Sequence, residues 1–82
     1  MRYTREYEIF CRKLVQLRTA AGLTQRDMAK RLKKHHSVVG KMEITGGRQV
    51  SVLEFMAWCK AVKRDAAEVI KELESEMKSH KA

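Results

Sequence analysis

Tyr3, Tyr7, Phe10, Leu14, Leu17 and Ala21 recur at spacings of four, three, four, three and four residues. That period lines one face of a helix and predicts a first element over about Thr4 to Ala21. Arg5, Arg12, Lys13 and Gln16 fall largely off this stripe, and Gly22 supplies a left-handed stop. Thr24 then offers a side-chain cap to a short second helix, with Asp27 at its positive end and Met28, Ala29 and Leu32 as its apolar face. At about eight residues, that helix needs tertiary packing to persist. Lys33-Lys34-His35 reads as a brief polar connection, and a third helix is predicted over about His36 to Ile44 with Val39 and Met42 inward. Thr45-Gly46-Gly47-Arg48-Gln49 is the clearest loop. Ser51 with Glu54, and Asp65 with Glu68, have capping-box spacing and open two more helices. Their apolar stripes are Val52, Phe55, Met56, Cys59 and Val62, then Ala66, Val69, Ile70, Leu73 and Met77.

At 82 residues without proline, this pattern predicts a single all-α domain, a compact five-helix bundle with its core at about 4–78 and a short frayed C-terminus. Its 44% hydrophobic share excludes a wholly disordered chain despite 34% charged residues. No apolar run approaches the roughly 18 residues of a membrane span, and Met1 to Glu6 lack the apolar stretch of a secretory signal. Cys11 and Cys59 stand too far apart to form a spaced metal site, so a cytoplasmic, nucleoid-associated location is expected.

Charge adds a direction. Residues 1–41 carry 11 basic and 3 acidic side chains, whereas residues 42–82 carry 7 of each, so the net +8 lies in the first half. A one-sided basic surface attracts polyanions and fits a nucleic-acid binder. No Gly-rich phosphate loop, convergent carboxylate pair or nucleophile–base arrangement is visible, so neither enzyme activity nor a cofactor is expected. The aromatic platform of single-strand RNA readers is missing too.

Two short helices around a tight turn in a basic domain form the helix-turn-helix pattern. Leu23-Thr24-Gln25 resembles the opening of the second helix in the Xre family, the Cro and phage-repressor type. Arg18, Ala29, Val39-Gly40-Lys41-Met42-Glu43, Ser51 to Phe55, Cys59 to Val62, Asp65 and Glu68 match further positions of that pattern in order, over about residues 9 to 73. The resemblance implies a bundle of the lambda-repressor-like DNA-binding type, with the helix-turn-helix formed by helices 2 and 3. It implies that His36, Ser37, Val38 and Lys41 read base edges in the major groove. Thr24, Gln25, Arg26, Lys33, Lys34 and Arg48 become its phosphate contacts. Arg18 and Glu43 become an internal ion pair.

The chain departs from the pattern in places. Lys33 stands where glycine is common in the turn, Lys34 where an apolar residue tucks inward, and His35 where Ser or Thr caps the third helix. His36 replaces a common glutamine, and Arg64 a common apolar residue. The loop from Ile44 to Val50 is one residue longer than the common pattern.

Other residues have plainer readings. The adjacent His35 and His36 point in different directions on a helix start and lack cysteine or carboxylate support, so no metal is expected. Cys59 reads as packing, as does Cys11, although Arg12 and Lys13 beside Cys11 would lower its pKa. Met28, Met42, Met56 and Met77 read as core filler, and Arg12, Lys13, Lys30 and Arg31 as solvated helix faces.

The function expected is sequence-specific binding of double-stranded DNA in transcription regulation. A repressor binding as a homodimer to a pseudopalindromic operator is the leading form, with Trp58, Val62, Ile70 and Leu73 as candidate dimer contacts, though each can equally be core. The alternative is an antitoxin or protein-interaction module of a toxin–antitoxin pair, which also binds DNA in some cases.

Overall fold

Thr4, Thr24, His35 and Ser51 each hold the chain in an extended conformation and turn a side-chain acceptor onto the helical turn that follows. In the computed structural model, which describes residues 4–79, these caps open α1 (Arg5–Ala20), α2 (Gln25–Leu32), α3 (His36–Met42) and α4 (Val52–Ala61). The fifth helix, α5 (Ala66–Ser79), opens through backbone instead. The Asp65 carbonyl accepts from Val69 N at 3.1 Å, and the side-chain cap expected of Asp65 is not made among the described residues. Tyr3, assigned to the α1 stripe, lies outside the described residues.

Three helices stop the same way. Gly22, Lys33 and Lys63 adopt φ of 75°, 56° and 59°. In each case their own amide bonds the carbonyl three residues back, and the next amide reaches five back. Glycine is at ease there, whereas each lysine bears about 1–2 kcal/mol of steric cost. α3 ends at Met42, two residues short of the expected Ile44, which is 58% exposed.

α1 packs against α5, α4 against both α2 and α5, and α2 most closely against α3. Leu14, Met28, Val39, Met42, Trp58 and Val69 are fully enclosed between them. The Trp58 indole, the only one in the chain, donates to the Leu14 carbonyl at 3.1 Å. A tryptophan this enclosed joins α4 to α1 by area and by a satisfied N–H.

Several positions differ from the sequence reading. Trp58, Val62 and Leu73 are core, so of the four candidate dimer contacts only Ile70 faces outward. The first turn of α4 overhangs the core, leaving Val52 and Leu53 exposed, and Met56 lies one 100° step off the buried Phe55. Met56 is therefore not core filler. Lys13 is not a solvated face: only 4% exposed, its Nζ lies 3.2 Å from Glu72 Oε1 and also bonds Glu76, while Arg64 bonds Glu72 from the α4–α5 turn. Burial alone would lower the Lys13 pKa; the Glu76 and Glu72 carboxylates outweigh it and hold the ammonium charged. Arg31 donates to the Ala61 carbonyl at the end of α4, at 2.7 Å. Cys11 is buried, and desolvation pushes its thiol pKa up rather than down, as it does for Cys59.

The α3–α4 loop turns on Gly47. A Cβ built there would lie 2.3 Å from the Lys41 carbonyl oxygen and 2.8 Å from Ile44 Cγ1. Immediately after it, Arg48 N bonds that same Lys41 carbonyl at 2.9 Å. Gly47→Ala is expected to cost about 1–3 kcal/mol, the usual range for forced overpacking. A thermal melt matching wild type would show that the loop relaxes around the methyl.

Candidate nucleic-acid interface

The turn between α2 and α3 is two lysines and a histidine. Lys33 takes the left-handed position and Lys34 N closes the turn on the Ala29 carbonyl at 2.9 Å. His35 does the work of the usual Ser or Thr: its Nδ1 accepts from Ser37 N at 3.2 Å and lies 2.9 Å from Ser37 Oγ. Accepting the amide requires Nδ1 without a proton. The two adjacent imidazoles do not diverge as expected; they stack, with ring centroids 4.3 Å apart and planes 29° apart. Desolvation pushes the His36 pKa down, helped by the nearby Arg26 and by His35. The neutral ring offers one donor and one acceptor.

His36, Ser37 and Lys41 are exposed; Ser37 and Lys41, four residues apart, share one face of α3, and His36 opens its first turn. Val38 is half-buried and packs against the core. The tertiary structure thus leaves three of the four proposed base readers on the outward side of α3, with Val38 at its edge.

Behind that side lies a cleft of about 290 Å³ lined by Arg26, Lys30, Lys34, His35 and His36. Three basic residues, Arg26 and Lys30 from α2 and Lys34 from the turn, contribute to its walls. At the α2 N-terminus, Thr24 Oγ1 accepts from Asp27 N at 3.1 Å and Asp27 Oδ2 from Thr24 N at 2.9 Å. The amides of Gln25 and Arg26 have no acceptor among the described residues, which leaves the positive helix end open to an anion.

Gln25 has a second role. Its Nε2 donates to Glu43 Oε1 at 2.9 Å, and its amide lies 3.7–4.0 Å from where a Cβ on Gly40 would sit. Glu43 in turn pairs with Arg18, Nε to Oε2 at 2.5 Å and Nη2 to Oε1 at 3.2 Å, while Arg18 Nη1 donates to the Leu23 carbonyl at 2.8 Å. One buried carboxylate therefore joins the end of α1, the start of α2 and the end of α3. Residue spacing carried no sign that Gln25 belongs to this cluster, because the contact is made between separate elements.

Lys34, from the turn before α3, and Arg48, from the loop after it, both reach Glu54. Arg48 Nη1 lies 2.6 Å, and Lys34 Nζ 3.5 Å, from Glu54 Oε2. The other carboxylate oxygen accepts from Ser51 N at 2.9 Å in the α4 capping box. The Ser51 amide, followed by Arg48 and Lys34, holds the Glu54 carboxyl below the usual range. The sequence marks Glu54 as a cap residue but not as the meeting point of these cations.

Away from this basic surface, Tyr7, Phe10, Phe55, Ile70 and Met77 line an apolar groove of about 420 Å³ between α1, α4 and α5. The exposed Val52 lines it too, and Leu53 and Met56 are its exposed neighbours on α4. Among the described residues, no group of three His, Cys, Asp or Glu can hold a metal ion, and no helix is long and apolar enough to cross a membrane.

No family model and no curated protein matches the chain. Among solved structures, an XRE-family like protein from Pseudomonas syringae pv. tomato str. DC3000 superposes with a TM-score of 0.79 at 34% identity, over 87% of this chain and 85% of that one. With that identity over most of both chains, and with α2 and α3 forming a helix-turn-helix, the chain belongs to the XRE family.

Proposed function

We propose that this protein is a sequence-specific double-stranded DNA-binding regulator, a repressor that occupies a pseudopalindromic operator as a homodimer. The observation that carries this reading is the outward side of α3, where His36, Ser37 and Lys41 are all exposed, with basic residues of both adjoining turns near it. In this reading α3 lies in the major groove. His36 and Ser37 read donors and acceptors, Lys41 reaches guanine acceptors, and Val38 meets a thymine methyl from the edge. Thr24, Gln25, Arg26, Lys33, Lys34 and Arg48 hold the backbone and supply salt-sensitive affinity.

The dimer surface moves to the large apolar side chains exposed on α4 and α5, Val52, Leu53, Met56 and Ile70. The same patch favours the second reading, a protein-interaction module such as an antitoxin, since it accepts any apolar partner.

Selection of binding sites from a randomised duplex library at near-physiological salt tests both. An enriched pseudopalindrome, with half-sites about one helical turn (roughly 34 Å) apart, is the expected result. A single enriched half-site would overturn the homodimer. No binding to any duplex would leave the protein-interaction reading.

A further inference from the structure

The geometry points to Glu54 as a specificity-determining residue of this interface, acting by positioning Lys34 and Arg48. It rests on the DNA-binding reading above. Glu54 Oε2 takes both cations, at 3.5 Å and 2.6 Å, and they come from the turn before α3 and the loop after it. The carboxylate is the more enclosed partner, its side chain 15% exposed against 32% for Lys34 and 41% for Arg48. Two long, flexible side chains are thereby tied to one point beside the recognition helix.

This tie acts oppositely on two kinds of binding. On a cognate site the base contacts fix the register, so phosphates meet the protein at set positions and pre-placed cations bind them with less ordering cost. On arbitrary DNA, affinity comes from net positive charge alone, and a carboxylate among the cations subtracts from it. Glu54 therefore widens the gap between cognate and non-cognate duplexes. Its capping role is separable, because glutamine also serves at the third position of a capping box.

The test is Glu54→Gln, measured on a library-selected duplex and on an unrelated duplex of equal length across a salt series. Non-cognate affinity is expected to rise about 3-fold at low salt with a steeper salt slope, by up to about 0.9. The cognate-to-non-cognate ratio is expected to fall about 10-fold, through looser placement of the phosphate contacts. Equal changes on both duplexes, or an unchanged ratio, overturn the proposal and leave Glu54 a cap. A double-mutant cycle guards against a folding artefact. With Lys34→Gln and Arg48→Gln already in place, adding Glu54→Gln should no longer change the ratio, and a change that persists overturns the proposal as well. Should wild type bind no duplex, the DNA reading itself fails and takes this one with it. Should wild type select a site while Glu54→Gln keeps the ratio, only the Glu54 assignment falls.

Discussion

Glu43→Ala is expected to remove about 3–5 kcal/mol of stability, the range for leaving one partner of a buried ion pair unmatched. The Glu43 side chain is 4% exposed and that of Arg18 is 13% exposed, so water can do little to replace either partner. The substitution leaves the Arg18 guanidinium with the Leu23 carbonyl alone, and it frees Gln25 at the N-terminal end of α2. A domain of this size holds on the order of 4–12 kcal/mol in total, so the loss is a large share of the whole. Each kcal/mol should lower the melting point by about 4–8 °C. Replacing both partners with apolar residues of similar volume, as Arg18→Met with Glu43→Leu, should be better tolerated than Glu43→Ala, because no orphaned charge remains. A loss below about 1 kcal/mol for Glu43→Ala would mean that the pair behaves as a solvated surface bridge.

Trp58→Ala is expected to cost a similar amount, about 3–5 kcal/mol, through a different cause. The side chain is fully enclosed, so truncation opens a cavity between α1 and α4 and removes the N–H bond to the Leu14 carbonyl. Helical circular dichroism during urea unfolding reads the effect, since the variant has no indole left to follow. In wild type, Trp58 emission should stay constant on dilution through any dimer dissociation, because the ring is buried within one protomer. An emission shift on dilution, with helicity unchanged, would place the indole at an interface instead. The apolar positions that should respond to dimer dissociation are Val52, Leu53, Met56 and Ile70.

Much of this architecture is local physics, and local physics is legible in a sequence. The spacing of Phe10, Leu14 and Leu17 defines α1 because side chains three and four apart share a helix face. Thr24 with Asp27 and Ser51 with Glu54 mark helix starts because an oxygen at the cap meets an amide three residues on. The left-handed stop at Gly22 follows from its missing side chain, and the same conformation at Lys33 from its place in the turn. The order of these signals carried the family resemblance, and with it the side of α3 on which His36, Ser37 and Lys41 stand.

What tertiary structure decided were matters of depth and of meeting across elements. Periodicity says which face turns inward but not how far the core extends beneath it. Val52 and Met56 therefore share a stripe with Cys59 on paper and stay exposed in the fold, while Lys13 looks solvated and is buried between two glutamates. The stacking of His35 on His36 depends on the turn that delivers them. Gln25 on Glu43, and Lys34 with Arg48 on Glu54, join residues 18, 20 and 6 positions apart through space. A helix period relates only neighbours on one element, whereas these contacts exist only after the elements have packed.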